Sequence, residues 1–281
     1  MLKPVLRFAP SPNGLLHLGH AYSALFTAYW AESMGGRFLV RIEDTDITRS
    51  KPEFTDAIFE DLNWLGLSWE EPVWRQSSRF DIYAEQADRL KRRGLLYPCF
   101  CLRSEIAEVS TGTDPDGAPL YAGTCRHLTE AEIAQRFAEG REVQWRLKSD
   151  EARALTGVLT YTVAAPSPID RPQIRYARPE RWGDVVLQRK GTPTSYHLSV
   201  VIDDDAQGVT HVTRGRDMEP STDIHVLLQM LLGLRSPVYT FHRLVLDEEG
   251  RKLSKSKGSP SLRSLREAGR TAEDIRQELG F

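Results

Sequence analysis

Apolar and polar positions along this chain switch between a strand-like and a helix-like period. Residues 5–9 form a short apolar run suited to a buried strand, and residues 10–14 form a small, proline-bearing turn. Beyond the turn, Leu18, Ala21, Leu25, Ala28 and Tyr29 recur at helical spacing, and Gly35-Gly36 closes the segment. Residues 37–42 read as the next buried strand, so the first 42 residues predict a strand–helix–strand unit whose ligand edge lies at the strand C-terminal ends. Pro52 opens another helix, because its missing N–H falls where no intrahelical partner exists. Phe54, Ile58, Leu62 and Leu65 supply the stripe of that helix, and Gly66 stops it. A helix from Ser78 towards Arg93 carries Phe80, Tyr83, Ala87 and Leu90 on one side, with Gly94 at its cap.

Between about residues 95 and 181 the pattern becomes turn-rich, with Thr111-Gly112-Thr113-Asp114-Pro115-Asp116-Gly117 at its centre. Thr129 and Glu132 form a capping box there, the hydroxyl and the carboxylate each satisfying a backbone donor at a helix start. Apolar segments resume at 185–187, 198–202 and 209–212, and Ser221 precedes an apolar helix through Ile224, Val226, Leu227, Leu228, Met230, Leu231 and Leu232. The reading is an α/β protein with a Rossmann-like parallel sheet. Its first half spans 1–94, an inserted subdomain 95–181, the second half 182–235, and a loop region with a short C-terminal stump 236–281. The stump has room for one short helix near residues 271–279.

Composition narrows the classes. The chain has 281 residues, 40% of them hydrophobic, enough for a substantial core. No apolar run reaches the ~20 residues of a membrane helix and no signal-peptide pattern precedes the first strand, so a cytoplasmic location without a membrane partner is expected. A net charge of -2 gives no global positive field, and RNA contact must therefore use local patches. Residues 251–266 offer one, with Arg251, Lys252, Lys255, Lys257, Arg263 and Arg266 and no acid. Three cysteines, an odd number, argue against a disulfide framework. All three, Cys99, Cys101 and Cys125, fall in the inserted region, where clustered thiols suit structural Zn2+ and leave one ligand place open.

The first turn carries the chemistry. Small and proline residues between Ala9 and Gly14 bring backbone close to a ligand, and the following helix aims its unpaired N–H groups at the same space. His17 and His20 share a helical face, where imidazoles can donate to phosphate oxygens as charge builds in a displacement at phosphorus. Asp203-Asp204-Asp205 looks like a magnesium site at first, yet a polar turn between Ile202 and Gly208 explains it as well, and the run is left without a role.

The run Arg7-Phe8-Ala9-Pro10-Ser11-Pro12-Asn13-Gly14-Leu15-Leu16-His17-Leu18-Gly19-His20, with Lys252-Leu253-Ser254-Lys255-Ser256 near the other end, resembles the HIGH and KMSKS motifs of class I aminoacyl-tRNA synthetases. Arg7 to Ser11 together with Arg41-Ile42-Glu43-Asp44-Thr45-Asp46 narrows the likeness to the glutamyl and glutaminyl branch. The resemblance implies a class I Rossmann-like catalytic core with a zinc-type insertion. It implies ATP, with Mg2+, as a substrate bound by His17, Gly19, His20, Lys252 and Lys255, with His17, His20 and Lys255 catalytic. It implies L-glutamate held by Arg7, Phe8, Ala9, Pro10, Ser11, Glu43, Tyr196 and Arg214, two arginines favouring an acid over its amide. Related Cys-x-Cys and Tyr-x-x-x-Cys sites map onto Cys99, Cys101, Tyr121 and Cys125, with His127 as an alternative fourth zinc ligand. Leu253 replaces the usual methionine, a volume-conserving change.

Members of that branch continue past the second motif into anticodon-binding domains, whereas 25 residues follow Ser256 here. The likeness is therefore strongest to free-standing members, monomers by expectation, that activate glutamate and attach it to queuosine in the anticodon of tRNA(Asp). A shortened glutamyl-tRNA synthetase charging the 3' end of tRNA(Glu), and a non-catalytic RNA-binding paralogue, are the alternatives.

Overall fold

The computed structural model describes residues 3–164, 171–247, 250–251, 253 and 259–281. Its strands are β1 (Val5–Phe8), β2 (Arg37–Ile42), β3 (Glu70–Arg75), β4 (Leu96–Cys99), β5 (Gln144–Leu147), β6 (Thr160–Val163), β7 (Gln173–Tyr176), β8 (Val186–Gln188), β9 (His211–Gly215) and β10 (Val238–His242). Its helices are α1 (Leu18–Ser33), α2 (Pro52–Trp64), α3 (Phe80–Arg92), α4 (Arg103–Val109), α5 (Glu130–Ala138), α6 (Ser149–Thr156), α7 (Tyr196–Ala206), α8 (Thr222–Leu232), α9 (Leu262–Glu267) and α10 (Ala272–Leu279).

β1, β2 and β3 pair in parallel, as do β9, β10 and β6, with β7 antiparallel at the edge. Thr210 stitches the two groups together: its N–H donates to Val5 O at 3.0 Å, and its hydroxyl accepts from Val5 N at 2.8 Å. The resulting order, β3-β2-β1-β9-β10-β6-β7, reverses direction between β1 and β9, the place where doubly wound sheets bind ligands. β1 is buried along its whole length, as parallel strands covered on both faces are.

α1 buries Ala21, Tyr22, Ala24, Leu25, Thr27, Trp30 and Ala31, so its inner face is wider than the expected stripe and turned away from Tyr29, which is exposed. Gly35, at φ +59°, lets the chain leave this helix and return into β2. α2, α3 and α8 form where their stripes predict, although Met230 on α8 lies exposed. Residues 203–205 are not a turn: they end α7, because Asp203 and Asp204 find cationic partners in the core and need no solvent.

Strand pairing cuts across the sequence-based division of the chain. β6 and β7, inside the span expected for the insertion, extend the parallel sheet through β10, while β8, beyond that span, pairs with β5 in the antiparallel sheet β4-β5-β8. The C-terminal segment is more ordered than a stump. α10 forms behind its Thr271 cap, α9 precedes it, and Leu262, Ile275 and Leu279 enter the core that contains α1, α2 and β2. Arg263 and Arg266 reach Glu60 at 3.2 and 3.5 Å, Arg266 also approaches Asp61 at 3.6 Å, and Arg251 pairs with Asp247 at 3.0 Å. The described arginines of the expected basic patch are thus matched by acids from elsewhere in the chain. Lys252, Lys255 and Lys257 lie outside the described residues. Among the described residues no helix is long and apolar enough to cross a membrane.

Candidate active site

A cavity of about 650 Å³ opens at the C-terminal ends of β1, β2, β9 and β10. Arg7, Phe8, Ala9, Pro10, Ser11, His17, Gly19, His20, Glu43, Tyr196 and Arg214, each singled out from the sequence, all line it, as does Leu253. Lys252 and Lys255 lie outside the described residues. The chain on either side of them is placed, however: Leu253 is buried against the cavity, and Leu262 N donates to Leu16 O at 2.8 Å beside the His17–Ser261 bridge. A larger depression, of about 1070 Å³, lies between α1 and the end of α10 and contains none of the motif residues.

The loop between β1 and α1 is held by main-chain bonds, Glu43 N to Pro10 O at 3.0 Å and Lys51 N to Pro12 O at 3.1 Å. At its far end His17 is the N-cap of α1, not a residue of the first turn. Gly19 N donates to His17 Nδ1 at 3.1 Å, and His17 N donates to His20 Nδ1 at 3.2 Å, with the two ring centroids 3.9 Å apart. Each Nδ1 accepts from backbone, so in the neutral rings the proton sits on Nε2. A Cβ on Gly19 would come within 3.0 Å of the His17 ring, which explains the glycine between the histidines.

Behind the loop lies a buried ionic network. Arg7 grips Asp204 through Nε at 2.9 Å and Nη2 at 3.3 Å. Arg41, fully buried, donates to Asp204 at 2.8 Å, to Glu43 at 3.1 Å and to Gln207 at 2.9 Å. Asp203 accepts from Arg79 at 2.8 Å, Tyr83 at 2.6 Å and Gln76 at 3.1 Å, and lies 3.9 Å from Arg41 Nε. Three guanidiniums therefore meet three carboxylates across β1, β2, the β3–α3 junction and α7. Burial works against the charge on Arg41, yet Asp204, Glu43 and Asp203 keep its pKa above the ordinary range. Burial would likewise raise Asp204, but Arg7 and Arg41 hold it below its ordinary value. On Glu43 burial prevails, and its pKa is raised in spite of Arg41 and Arg7.

Arg214 stands apart. It is buried on β9, its Nη1 donates to His225 Nδ1 at 3.1 Å, its Nη2 donates to Thr222 Oγ1 at 2.8 Å, and it lies over the rings of Tyr239 and Phe241 at 4.9 and 5.9 Å. Its buried Nε has no hydrogen-bond partner, and among the described residues no carboxylate pairs with it. The network behind it is balanced, so Arg214 adds to the cavity a buried positive charge that the carboxylates of the network do not match. Of the two arginines expected to receive an acid, Arg7 is already committed to Asp204, and Arg214 is the one whose neighbours are neutral.

Sequence reasoning gave Arg41, Asp203, Asp204 and His225 no place in the site. A signal existed for the first: a charge within the apolar β2 run Arg37-Phe38-Leu39-Val40-Arg41-Ile42 needs a buried acid, and Asp203-Asp204 at the end of an apolar segment offers one. Asp44, in the same run as Glu43, turns to the β3–α3 junction instead, accepting from Ser77 N and Oγ, both at 2.8 Å.

The inserted sheet carries a second cluster. The sulfurs of Cys99, Cys101 and Cys125 lie within 4.8 Å of one another, all buried. The Tyr121 hydroxyl is 3.4 Å from Cys99 Sγ and 3.8 Å from Cys101 Sγ, and accepts from Cys125 N at 2.7 Å. Hydrogen bonds from Cys125 and Tyr121 pull the Cys99 thiol down, whereas burial pushes the Tyr121 hydroxyl up. Arg136 donates to Cys125 Sγ at 3.6 Å, and the Arg146 guanidinium stacks on the Tyr121 ring at 3.9 Å, so cations flank the sulfurs. His127 is exposed and is not part of this group.

Residues 3–279 match the family described as tRNA synthetases class I (E and Q), catalytic domain. The chain is 44% identical to the glutamyl-Q tRNA(Asp) synthetase of Rhodobacter capsulatus, over 99% of this chain and 100% of that protein. It is 39% identical to the glutamate–tRNA ligase of Aquifex aeolicus over 98% of this chain, and spans 56% of that relative's length. Among solved structures, a glutamate tRNA ligase from Elizabethkingia meningosepticum in complex with its amino acid superposes with a TM-score of 0.72 at 30% identity, covering 91% of this chain and 52% of that one.

Proposed function

The chain belongs to the glutamyl and glutaminyl class I tRNA synthetase family, and from that premise we propose that it activates L-glutamate with ATP and transfers the glutamyl group to queuosine in the anticodon of tRNA(Asp). The observation that carries the glutamate assignment is Arg214, a buried guanidinium without a carboxylate partner at the edge of a charge-balanced network. Glutamate brings one net negative charge and offsets that charge, whereas glutamine would leave it uncompensated. The full-length likeness to the Rhodobacter capsulatus protein supports the queuosine acceptor.

In this reading Arg214 and Tyr196 receive the γ-carboxylate, and Glu43 receives the ammonium, whose charge would draw its carboxyl back towards the ionised form. Arg7 sits against the substrate with Asp204, itself fixed by Arg41, holding it from behind. The loop of residues 8–11 closes over the amino acid, and ATP, as its magnesium complex, lies along Gly19 and the two histidines. A glutamate α-carboxylate oxygen attacks the α-phosphorus as the bond to the bridging oxygen breaks and pyrophosphate departs. His17 and His20 donate from Nε2 to the phosphate oxygens as charge accumulates, Lys252 helps hold ATP, and Lys255 supplies a further positive charge, so the rate comes from placement and electrostatics. A hydroxyl of the modified nucleoside then attacks the glutamyl carbonyl, loses its proton, and AMP leaves.

Zinc fits the second cluster: three buried thiols with cationic neighbours favour a thiolate set, held by Cys99, Cys101 and Cys125 with Tyr121 as the nearest further donor. Bound there, zinc would supply cross-linking of β4 to residues 121–125, not chemistry.

The test is transfer of labelled glutamate, with ATP, to tRNA(Asp) with and without queuosine and to tRNA(Glu), followed by nuclease mapping. Label confined to the queuosine-bearing anticodon is the expected result. Label at the 3' end of tRNA(Glu) would instead assign the chemistry of the Aquifex aeolicus relative.

A further inference from the structure

Arg214 is held by a chain of imidazoles that the reaction as described leaves idle. Its Nη1 donates to Nδ1 of His225 at 3.1 Å, and Nε2 of His225 lies 3.2 Å from Nδ1 of His197. A guanidinium only donates. His225 must therefore accept at Nδ1, which places its proton on Nε2, where it donates to His197 Nδ1 and leaves the His197 proton on Nε2. One cation thus sets the tautomer of both rings. The rings are wedged as well as bonded. Tyr196 packs against them with centroids 5.5 Å from His197 and 5.4 Å from His225, and Trp182 meets His197 edge-on at 5.4 Å.

The supporting turn is the start of α8. Thr222 and His225, three residues apart on one face, take Nη2 and Nη1 of the same guanidinium, while Asp223 between them faces away and accepts from Arg181 at 2.6 Å. Asp223 is thereby kept from neutralising Arg214. Burial, with Arg214 adding to it, lowers the pKa of both imidazoles, to about 4 for His197, so neither places a second positive charge beside the guanidinium.

We propose that His225, backed by His197, is a positioning residue that fixes the guanidinium plane of Arg214 towards the side-chain carboxylate of the amino-acid substrate and so sets the preference for an acid over its amide. The proposal rests on the reading that Arg214 receives that carboxylate. With Nη1 and Nη2 each tied on the far side, the N–H groups left to the substrate are fixed donors. A carboxylate offers acceptors to all of them, whereas an amide turned either way brings only one oxygen and sets an NH2 donor against a donor. Were the imidazoles absent, Arg214 would keep its charge but lose its orientation, and the amide could find a tolerable pose.

The experiment is glutamate-dependent pyrophosphate exchange with separate determination of KM for glutamate, KM for ATP and kcat, for wild type and His225→Leu, His225→Asn, His197→Leu and Arg214→Gln. His225→Leu is expected to raise the glutamate KM about 10- to 100-fold, the worth of a hydrogen bond to a charged group, with the ATP KM unchanged and the glutamate-over-glutamine ratio reduced. His225→Asn, whose Oδ1 can occupy the place of Nδ1, should recover most of the loss, and His197→Leu should give a smaller loss in the same direction. An unchanged glutamate KM in His225→Leu, alongside a raised one in Arg214→Gln, overturns the relay and leaves the pocket assignment standing. An unchanged KM in both overturns the pocket assignment and the relay with it. Should a variant fail to fold, 15N spectra of histidine-labelled wild-type protein decide the matter: an unprotonated Nδ1 and protonated Nε2 on His225 are expected, and the opposite tautomer refutes the proposal.

Discussion

His17 and His20 cap the same helix through the same atom type. Nδ1 of His17 accepts from Gly19 N, and Nδ1 of His20 accepts from His17 N, so the two rings close a reciprocal capping box and share one proton pattern. In the proposed mechanism the chemistry uses the edge of each ring opposite the cap, and the two can be separated. Asparagine places an acceptor where Nδ1 was but has no donor at the position of Nε2, and glutamine does the reverse. His20→Asn should therefore keep the melting temperature close to wild type while cutting kcat of pyrophosphate exchange by about 10²- to 10³-fold, the worth of one transition-state donor. His20→Gln should lose less activity and more stability. Equal activity of the two variants would remove the Nε2 donor from the mechanism.

Arg7 is tied to the fold before it meets any substrate. Its bidentate grip on Asp204 is buried, and Asp204 keeps only Arg41 if Arg7 is lost. Arg7→Gln should destabilise the protein by about 2–4 kcal/mol in urea unfolding, because it strands part of a buried charge. The Asp204→Asn, Arg7→Gln double variant should recover part of that loss. Additive single effects would show that the two side chains are not coupled.

In the proposed mechanism Lys255 acts on ATP and its transition state and not on glutamate. Lys255→Ala should depress kcat for pyrophosphate exchange by about 10²-fold or more with little change in glutamate affinity measured by calorimetry. Parallel losses in both would place the lysine in ground-state binding.

The lining of the cavity was legible in the sequence, the strand pairing around it less so. Residues 7–20 carry their chemistry in one contiguous run, and every glutamate- or ATP-binding residue expected from them lines the cavity. The strand boundaries were less legible, because pairing joins β6 to β10 and β5 to β8 across long separations that periodicity does not encode. Asp203 and Asp204 misled for a different physical reason. Acids usually mark solvent, and only the arginines of β1, β2 and the β3–α3 junction, 124 to 197 positions away, make their burial tolerable. His225 was hidden inside an apolar helix, where a lone imidazole reads as core.

Asp61 should make stability depend on pH in the direction opposite to a paired carboxylate. It is fully buried on α2, neither carboxylate oxygen has a hydrogen bond, and burial, only partly offset by Arg266 and Arg263, raises its pKa to about 6. The folded state then binds the proton more tightly than the unfolded chain. Stability from this group is present below the unfolded value of about 4 and is lost as pH rises through about 6. Asp61→Asn should therefore stabilise the protein at pH 7 by up to about 2–3 kcal/mol in urea unfolding, with the gain vanishing near pH 4. A gain independent of pH would trace it to packing and not to the carboxyl.

The cysteine cluster lies on the inserted sheet, away from the cavity, and this separation gives the zinc assignment a distinctive signature. Cys99 ends β4, whose Tyr97 hydroxyl donates to Asp184 at 2.7 Å, and Asp184 in turn accepts from Ser149 N at 2.9 Å, and the three cysteines pack with Tyr97, Phe100 and Tyr121 in a small core of their own. A metal there would order residues 99–125 without touching glutamate or ATP. Purified protein should carry close to one equivalent of zinc by elemental analysis. Chelation, or Cys125→Ser, should lower the first unfolding transition while leaving KM for glutamate and ATP in pyrophosphate exchange within about twofold, because the two sites share no partner. Loss of adenylate formation in step with loss of zinc would contradict a purely structural metal, and protein that folds unchanged with no metal bound would leave the three thiols as a hydrogen-bonded core cluster.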